Sequence, residues 1–373
     1  MTITKRTKNC PCCASKKLEI LDIKLKRAMR SDGLIINEVL KKSQCPQCGL
    51  LIGNNSNSKK QYLRSDGKSN GEKERNKKIA ISIEQVIKNI QKKPRLNLLE
   101  IGGGSFRTSI ELKKNNTKFN ITSIEPNPEN NPKTKSIKFI FQKFEKVNFK
   151  NKYDVCYSAF VLEHTENLEN FILKCKKIIT NDGIIIFIVP NSDTPSQELL
   201  LSDHKFHFTL TAMKYLTNRL GLEIIEEFIP TWDELAHIYV LKKVKKFQSL
   251  RPSKKFFNVL LRKRINYYNS WANADKIILR KARNTKLVLF GAGEMSQLIA
   301  CYLPETFKYI KYIVVDNTKG ARKFNKDTYK YSDIATKENF FLIGAIGKNK
   351  KIIKTKLQEN GISSKNIISL QIS

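Results

Sequence analysis

Two pairs of cysteines near the start of the sequence have the spacing of metal ligands. Cys10 and Cys13 form one C-x-x-C pair, and Cys45 and Cys48 form a second pair within the segment Cys-Pro-Gln-Cys-Gly. Two thiolates at this spacing can turn onto one tetrahedral Zn²⁺, so two pairs supply a full set of four ligands. Because four thiolates leave no coordination position for water, the pattern predicts a structural zinc rather than a catalytic one.

The remaining cysteines carry less information. Cys12 adjoins Cys13 and leaves the register of the first pair open, although the spacing favours Cys10 with Cys13. Cys156, Cys175 and Cys301 are single residues on apolar segments, where we expect them to pack in cores. No signal segment follows the N-terminus and no apolar run approaches the ~18 residues of a membrane span. These features predict a cytoplasmic protein with reduced thiols.

A glycine-rich turn follows the strand-like run 96–101. Glycine is needed where the chain turns sharply and passes close beside a ligand. About 20 residues after Gly104, the next strand-like run ends at Glu125, whose carboxylate can accept hydrogen bonds from the ribose hydroxyls of an adenosine cofactor. A dinucleotide site would have a third glycine where this chain has Arg107. A glycine turn without a ligand is the alternative.

The turn resembles the E-x-G-x-G-x-G motif of class I S-adenosylmethionine (SAM)-dependent methyltransferases, carried here by Glu100, Gly102 and Gly104. The chain departs from the motif at the last glycine, which is Phe106. The resemblance implies that Glu100 helps to hold the methionine part of SAM and that Glu125 holds the ribose. The departure leaves open a binding or scaffold protein with a degenerate cofactor site.

The similarity extends over roughly residues 76–245. The segments 153–155, 161–164 and 181–186 resemble the fourth strand, the loop after it, and the helix end with the fifth strand of these enzymes. Phe144 and Glu145 sit where the family often contacts adenine. With the cysteine module and a later α/β unit, the layout resembles the three-part sugar C-methyltransferases of polysaccharide and deoxysugar pathways. This resemblance implies a small, nucleotide-linked or otherwise phosphorylated sugar as the acceptor.

The chain has only four histidines, and His204 and His207 lie together after the fifth strand. In the sugar C-methyltransferases a Glu-His pair at this place is linked to proton abstraction, and Asp203-His204 resembles it. Because imidazole titrates near neutrality, His204 is the expected base. The alternative is that His204 only orients its loop. We expect His164 to shape the cofactor pocket and His237 to lie in a strand. For His207, a role near the acceptor and packing among aromatic residues are equal alternatives.

The polar residues at 54–78 predict a linker. Apolar periodicity then predicts an amphipathic helix over 79–90, followed by alternating strands and helices. The predicted strands are 96–101, 119–125, 137–141, 153–160, 183–189, 222–228 and 237–244, and the predicted helices are 168–179, closed by Asn-Asp-Gly at 181–183, and 210–220. This alternation predicts a parallel, doubly wound sheet with ligands at the carboxyl ends of its strands.

A second alternation begins near residue 286, with strands expected at 287–290, 312–315, 340–343 and 367–370. Gly291, Gly293 and Ser296, with Asp316 ending the next strand, resemble a dinucleotide fingerprint. An NAD-dependent enzyme is therefore an alternative, but no hydride-transfer residues follow the fingerprint, so we expect a structural or substrate-covering role.

The formal net charge of +35 suggests either an anionic partner or the composition of an A/T-rich genome. Arg clusters interleaved with aromatic residues, which are typical of nucleic-acid binding, do not stand out. The expected fold is α/β, with a zinc-binding module at 1–55, a methyltransferase domain at 76–245, a helical connector at 246–284 and a smaller Rossmann-like domain at 285–373. An RNA methyltransferase that uses the zinc ribbon and the charge is the alternative.

Overall fold

A computed structural model describes residues 9–55, 70–127, 132, 134–244, 254–282, 287–318, 321–334, 340–345 and 347–370. The chain forms two compact units. The first unit comprises Met1–Ile20, Lys42–Ser196 and His204–Leu261, and the second comprises Leu21–Lys41, Gln197–Asp203 and Arg262–Ser373. This division differs from the expected domain order, because the segments 21–41 and 197–203 pack within the second unit.

The strands and helices alternate along most of the chain. In chain order the strands are β1 (Glu19–Ile20), β2 (Ala28–Met29), β3 (Ile35–Ile36), β4 (Lys42–Gln44), β5 (Leu51–Gly53), β6 (Leu96–Ile101), β7 (Phe119–Ile124), β8 (Lys138–Ile140), β9 (Tyr153–Ala159), β10 (Ile179–Pro190), β11 (Phe206–His207), β12 (Leu222–Phe228), β13 (Ala236–Lys243), β14 (Leu287–Phe290), β15 (Ile310–Val315), β16 (Thr328–Lys330), β17 (Phe340–Ile343) and β18 (Ile367–Ser369). The helices are α1 (Asn70–Ile90), α2 (Arg107–Asn115), α3 (Leu168–Ile178), α4 (Leu210–Arg219), α5 (Lys254–Lys281), α6 (Glu294–Tyr302), α7 (Pro304–Tyr309) and α8 (Gly347–Glu359). Among the described residues, none of these helices combines the length and apolarity that a membrane crossing requires.

A seven-stranded sheet of order β12-β13-β10-β9-β6-β7-β8 forms the centre of the first unit. The five neighbouring strands β10, β9, β6, β7 and β8 are parallel, and β13 is antiparallel to both of its neighbours. The strand order reverses between β6 and β9, which is where ligands bind in open α/β sheets. The predicted doubly wound α/β fold is confirmed.

Alternate residues of β10 point to opposite faces of this sheet, as the period of a strand requires. Ile184, Ile186 and Ile188 belong to the core cluster that includes residues of α1 and α2. The residues between them, such as Ile185 and Phe187, belong to the cluster that includes residues of α3 and α4. Helices therefore cover both faces, and the continuous apolar run in β10 is a strand buried on both sides.

Two local predictions were wrong. Residues 70–78, predicted as linker, form the first turns of α1, while residues 56–69 of the predicted linker lie outside the described residues. The segment 181–183, predicted to close α3, lies inside β10. Ile179 already pairs with Tyr153 on β9, and a register shift between Ile179 and Ile184 absorbs the Asn-Asp-Gly segment as a bulge.

A smaller sheet of order β1-β4-β5-β11 also belongs to the first unit. Its strands are antiparallel to one another. The hairpin β4–β5 contains the second cysteine pair, and β11 contains His207. The cysteine hairpin (residues 42–53) and the histidine segment (residues 204–207) therefore meet in one sheet.

In the second unit, a parallel sheet of order β16-β15-β14-β17-β18 is consistent with the expected α/β alternation. Its strand β16 was not predicted, because a strand of three residues with polar members leaves no periodic signal.

Candidate cofactor and acceptor site

The glycine turn continues directly from β6 at the carboxyl edge of the central sheet. The backbone N–H groups of Gly102 and Gly103 both donate to the Ile124 carbonyl at the end of β7, at 2.9 and 3.0 Å. Gly102 has φ +75°, and a Cβ there would lie 2.3 Å from Cγ2 of Val161. Gly104 has φ +52°, and a Cβ there would meet no heavy atom of the described residues within 4 Å. Gly102 is thus required by packing, whereas Gly104 borders open space.

Phe106 occupies the position of the last glycine in the motif. Its φ is 59°, so it keeps the left-handed backbone that favours glycine. This conformation costs a residue with a Cβ about 1–2 kcal/mol. The side chain is fully buried and packs edge-on against Phe139 and Phe141, with ring centroids 4.7 and 5.9 Å away. The departure from the motif therefore preserves the shape of the turn, and aromatic packing offsets its strain.

Glu100 is buried beneath the turn, with an exposed fraction of 4%. Its Oε2 accepts hydrogen bonds from Ser109 Oγ at 2.6 Å and from Ser123 Oγ. Burial raises the pKa of Glu100 to about 7, although the two serine hydrogen bonds oppose this shift. Near neutral pH the carboxyl group can therefore change its charge when a cationic ligand group arrives.

Glu125 lies beside the turn at the end of β7. Its Oε2 accepts from the Gly104 N–H at 2.9 Å, and its Oε1 accepts from the Asn127 N–H at 3.0 Å. The side chain is partly exposed. Two backbone donors thus fix a carboxylate next to the open space at Gly104.

Phe144 lies in the core rather than on an open surface, with an exposed fraction of 4%. Its ring packs against Phe171 of α3 and against Phe149, at centroid distances of 5.0 and 5.8 Å. The ammonium of Lys174 lies 5.1 Å from the ring centroid. Contact of Phe144 with adenine stays a prediction.

Three of the four histidines form a cluster, in which His164 follows β9, His207 lies in β11 and His204 shortly precedes β11. The rings of His164 and His204 meet edge-on with centroids 4.7 Å apart, and those of His204 and His207 are 5.7 Å apart. Glu163, His164 and His204 each offer a ligand atom within 4.8 Å of the others. The Nζ of Lys42 lies 2.8 Å from Nε2 of His207. Sequence reasoning missed Lys42, because nothing distinguishes it among 69 Lys and Arg residues.

Asp203 belongs to the second unit, although it precedes His204 in the chain. Its Oδ1 accepts from the Ser31 N–H at 2.8 Å and its Oδ2 accepts from Ser31 Oγ at 2.6 Å. Both carboxylate oxygens are thus held by one residue. Pairing of Asp203 with the His204 ring stays a prediction.

The four paired cysteines converge on one point. Their Sγ atoms lie within 4.8 Å of one another, with Cys10 and Cys48 at 3.5 Å and Cys13 and Cys45 at 3.4 Å. Cys12 is fully buried but is not part of this group. The donor set and its size suit a tetrahedral soft metal ion.

The two cysteine turns have the same backbone design. Ala14 N–H donates to the Cys10 carbonyl and Gly49 N–H donates to the Cys45 carbonyl, both at 2.9 Å. Ala14 and Gly49 both adopt a left-handed conformation, with φ 60° and 73°. In each turn the two Sγ atoms therefore face the point shared by all four cysteines, as binding of a single ion requires.

The fingerprint of the second unit is packed at Gly291, whereas a Cβ on Gly293 would meet no heavy atom of the described residues within 4 Å. Ser296 Oγ donates to the Gly291 carbonyl at 2.8 Å, and a Cβ on Gly291 would lie 2.9 Å from the carbonyl oxygen of Gly344. At the end of β15, Asp316 forms an ion pair with Lys356 of α8. In the alternative of a dinucleotide site, the carboxylate that would bind the ribose is thus paired with a lysine.

The sequence profile of a family described as a methyltransferase domain matches residues 72–227. No curated protein sequence matches the chain. Among solved structures, the chain is similar to the CcbJ methyltransferase from Streptomyces caelestis, at 12% identity over 46% of this chain and 90% of that chain, with a TM-score of 0.37. It is also similar to the Burkholderia thailandensis 1,6-didemethyltoxoflavin-N1-methyltransferase with bound S-adenosylhomocysteine, at 13% identity over 46% and 79%, with a TM-score of 0.38.

The matched residues contain the parallel strands, the glycine turn and Glu125. They form a class I methyltransferase domain. The chain therefore contains a SAM-dependent methyltransferase domain at residues 72–227.

Proposed function

We propose that this enzyme transfers the methyl group of SAM to a small acceptor, a nucleotide-linked or otherwise phosphorylated sugar. The observation that carries the proposal is the open space at Gly104 beside the fixed carboxylate of Glu125. The acceptor class rests on the resemblance to sugar C-methyltransferases.

The residues around the turn suit the parts of the cofactor. Glu125 accepts hydrogen bonds from the ribose hydroxyls, and Gly104 leaves room for the ligand to approach the backbone. Glu100, whose pKa of about 7 allows it to ionise, balances the ammonium of the methionine part. The bound cofactor supplies an electrophilic methyl group, and the protein supplies alignment for its in-line displacement.

His204 is the proposed base, which takes the proton that the acceptor loses as its carbon or oxygen gains the methyl group. Support comes from its burial and from its place after β10, among His164 and His207. Asp203 is its proposed partner. The four paired cysteines hold a structural zinc, which has no open coordination position and therefore takes no part in the chemistry.

The test is a transfer assay with SAM carrying a labelled methyl group and a panel of nucleoside diphosphate sugars. We expect label in at least one sugar, a loss of at least about 100-fold in His204→Gln, as for a missing general base, and little change in the matched control His237→Gln. His237 interacts instead with Glu227 and stacks on Tyr239. Absence of label in every sugar would overturn the acceptor class.

The net charge of +35 favours RNA as a second candidate acceptor. That candidate predicts RNA affinity that falls steeply with salt, because bound cations are released from the phosphates. Absent or salt-insensitive RNA binding would exclude it.

A further inference from the structure

Lys42 is a fully buried lysine at the start of the cysteine hairpin. It opens β4, and Cys45 follows directly after that strand. The exposed fraction of Lys42 is 0%. Burying an ammonium group is costly unless hydrogen bonds compensate it, so the contacts of Lys42 specify its position closely.

Two of these contacts are with the histidine segment. The Nζ of Lys42 lies 2.8 Å from His207 Nε2 and donates to the His204 carbonyl at 3.3 Å. An ammonium group has hydrogen-bond donors and no acceptor. Nε2 of a neutral His207 ring must therefore accept, which leaves the ring proton on Nδ1.

The backbone ties the same segment to the hairpin. In β11, Phe206 pairs with Ile52 and His207 with Leu51 of β5. The Gly53 N–H donates to the Lys205 carbonyl at 2.9 Å. These bonds fix the histidine segment beside β5, which is the neighbour of β4 in the sheet. Lys42 on β4 therefore reaches His207 on β11 across β5.

We propose that Lys42 is a positioning residue, which holds His207 in the Nδ1–H tautomer and anchors the His204 carbonyl so that the His204 ring stays against His164. The inference rests on the proposed function for the role of His204 as a base. Its structural content, a lysine from the cysteine hairpin that sets a histidine tautomer, is independent of the acceptor. The cysteine hairpin is then a working part of the acceptor side of the site.

The experiment is nuclear magnetic resonance of the full chain with ¹⁵N-labelled histidine rings, at a pH at which the rings are neutral. Only four histidines contribute, and single His→Gln variants assign them. We expect the His207 signals of the Nδ1–H tautomer in the unsubstituted protein. In Lys42→Met, which keeps the apolar stem and removes the donor, we expect loss of that tautomer preference and a shift of the His204 signals.

Lys42→Arg tests the hydrogen bond itself, because a guanidinium group also has donors and no acceptor, and it should keep the Nδ1–H tautomer. The matched control Lys41→Met, at an exposed neighbouring lysine, should change neither ring, and the His237 signals serve as an internal reference. A His207 proton on Nε2 in the unsubstituted protein overturns the proposal, even if every Lys42 variant fails to fold. Unchanged His207 and His204 signals in a folded Lys42→Met overturn it as well.

S-adenosylhomocysteine binding to the same variants separates this proposal from the cofactor assignment. We expect Lys42→Met to bind S-adenosylhomocysteine within about twofold of the unsubstituted protein, because Lys42 contacts the histidine segment rather than the glycine turn. Loss of binding in Lys42→Met would contradict a role confined to the histidines. Absence of binding in the unsubstituted protein would refute the proposed function and leave the tautomer result intact.

Discussion

The backbone N–H of Gly104 donates to Oε2 of Glu125 at 2.9 Å. This bond joins the glycine turn after β6 to the acidic end of β7, so the two halves of the cofactor motif hold each other in place. It explains why a sequence interval of about 20 residues is informative, since the carboxyl ends of neighbouring parallel strands lie side by side.

Gly102 and Gly104 should respond differently to alanine. Gly104→Ala should cost only about 1–2 kcal/mol of unfolding free energy, the cost of a positive φ, but should weaken S-adenosylhomocysteine binding because the added Cβ enters the ligand space. Gly102→Ala should cost more, because its Cβ meets Val161, and Val161→Ala should partly restore its stability. Urea denaturation and calorimetry measure both effects. Equal stability losses at the two positions would contradict this assignment.

At Phe106, replacement by glycine should leave the protein more stable than replacement by alanine, which reverses the usual order. Both Phe106→Ala and Phe106→Gly lose the buried ring, which costs about 3–5 kcal/mol. Only glycine relieves the left-handed strain, so Phe106→Gly should be more stable than Phe106→Ala by about 1 kcal/mol. The matched pair at Phe171, inside α3, should show the usual order, with glycine less stable than alanine by about 0.5–1 kcal/mol. The same order at both positions would argue against strain at Phe106.

Glu100 should make stability depend on pH. Burial raises its pKa from 4.5 to about 7, so the folded state prefers the protonated carboxyl group. The resulting stabilisation is fully present below about pH 4.5 and is lost as the pH rises through about 7. Relative to Glu100→Gln, the unfolding free energy should fall by about 1–3 kcal/mol between about pH 5 and about pH 8. Denaturation curves that change in parallel for the two proteins would show that the pKa is not raised.

Metal analysis should find one zinc ion per chain. Cys13→Ser should lose it, whereas Cys12→Ser should retain it, because Cys12 lies outside the sulfur group. Chelation should lower the melting temperature, since the ion cross-links the two cysteine turns. A second ion that disappears in Glu163→Gln would mean that Glu163, His164 and His204 also bind metal. Such a result would contradict the proposed role of His204 as a base.

Much of the central sheet was predictable because its strands are buried and bounded by turn residues. The predicted strand 96–101 matches β6, and 340–343 matches β17. The first turns of α1 were missed because their polar, largely exposed residues resemble a linker. Asn-Asp-Gly at 181–183 was misassigned because the same residues suit a helix end and a bulge.

The candidate site also combines residues that the sequence predicted with residues that it did not. The cysteines and Glu125 were found because local spacing carries their signal. The closeness of Glu163 to His204, and of Lys42 to His207, depends on how segments far apart in the chain meet. No spacing rule encodes such contacts, and the abundance of lysine hides Lys42 further.

Calorimetric titration with S-adenosylhomocysteine tests the central claim most directly. We expect one binding site per chain, and we expect Glu125→Ala to weaken binding by about 1–3 kcal/mol, because the ribose hydroxyls lose their acceptor. The control Glu223→Ala, at an exposed carboxylate on the edge strand β12, should bind like the unsubstituted protein. Absence of binding to the unsubstituted protein, or equal affinity in Glu125→Ala, would contradict the account of the cofactor site.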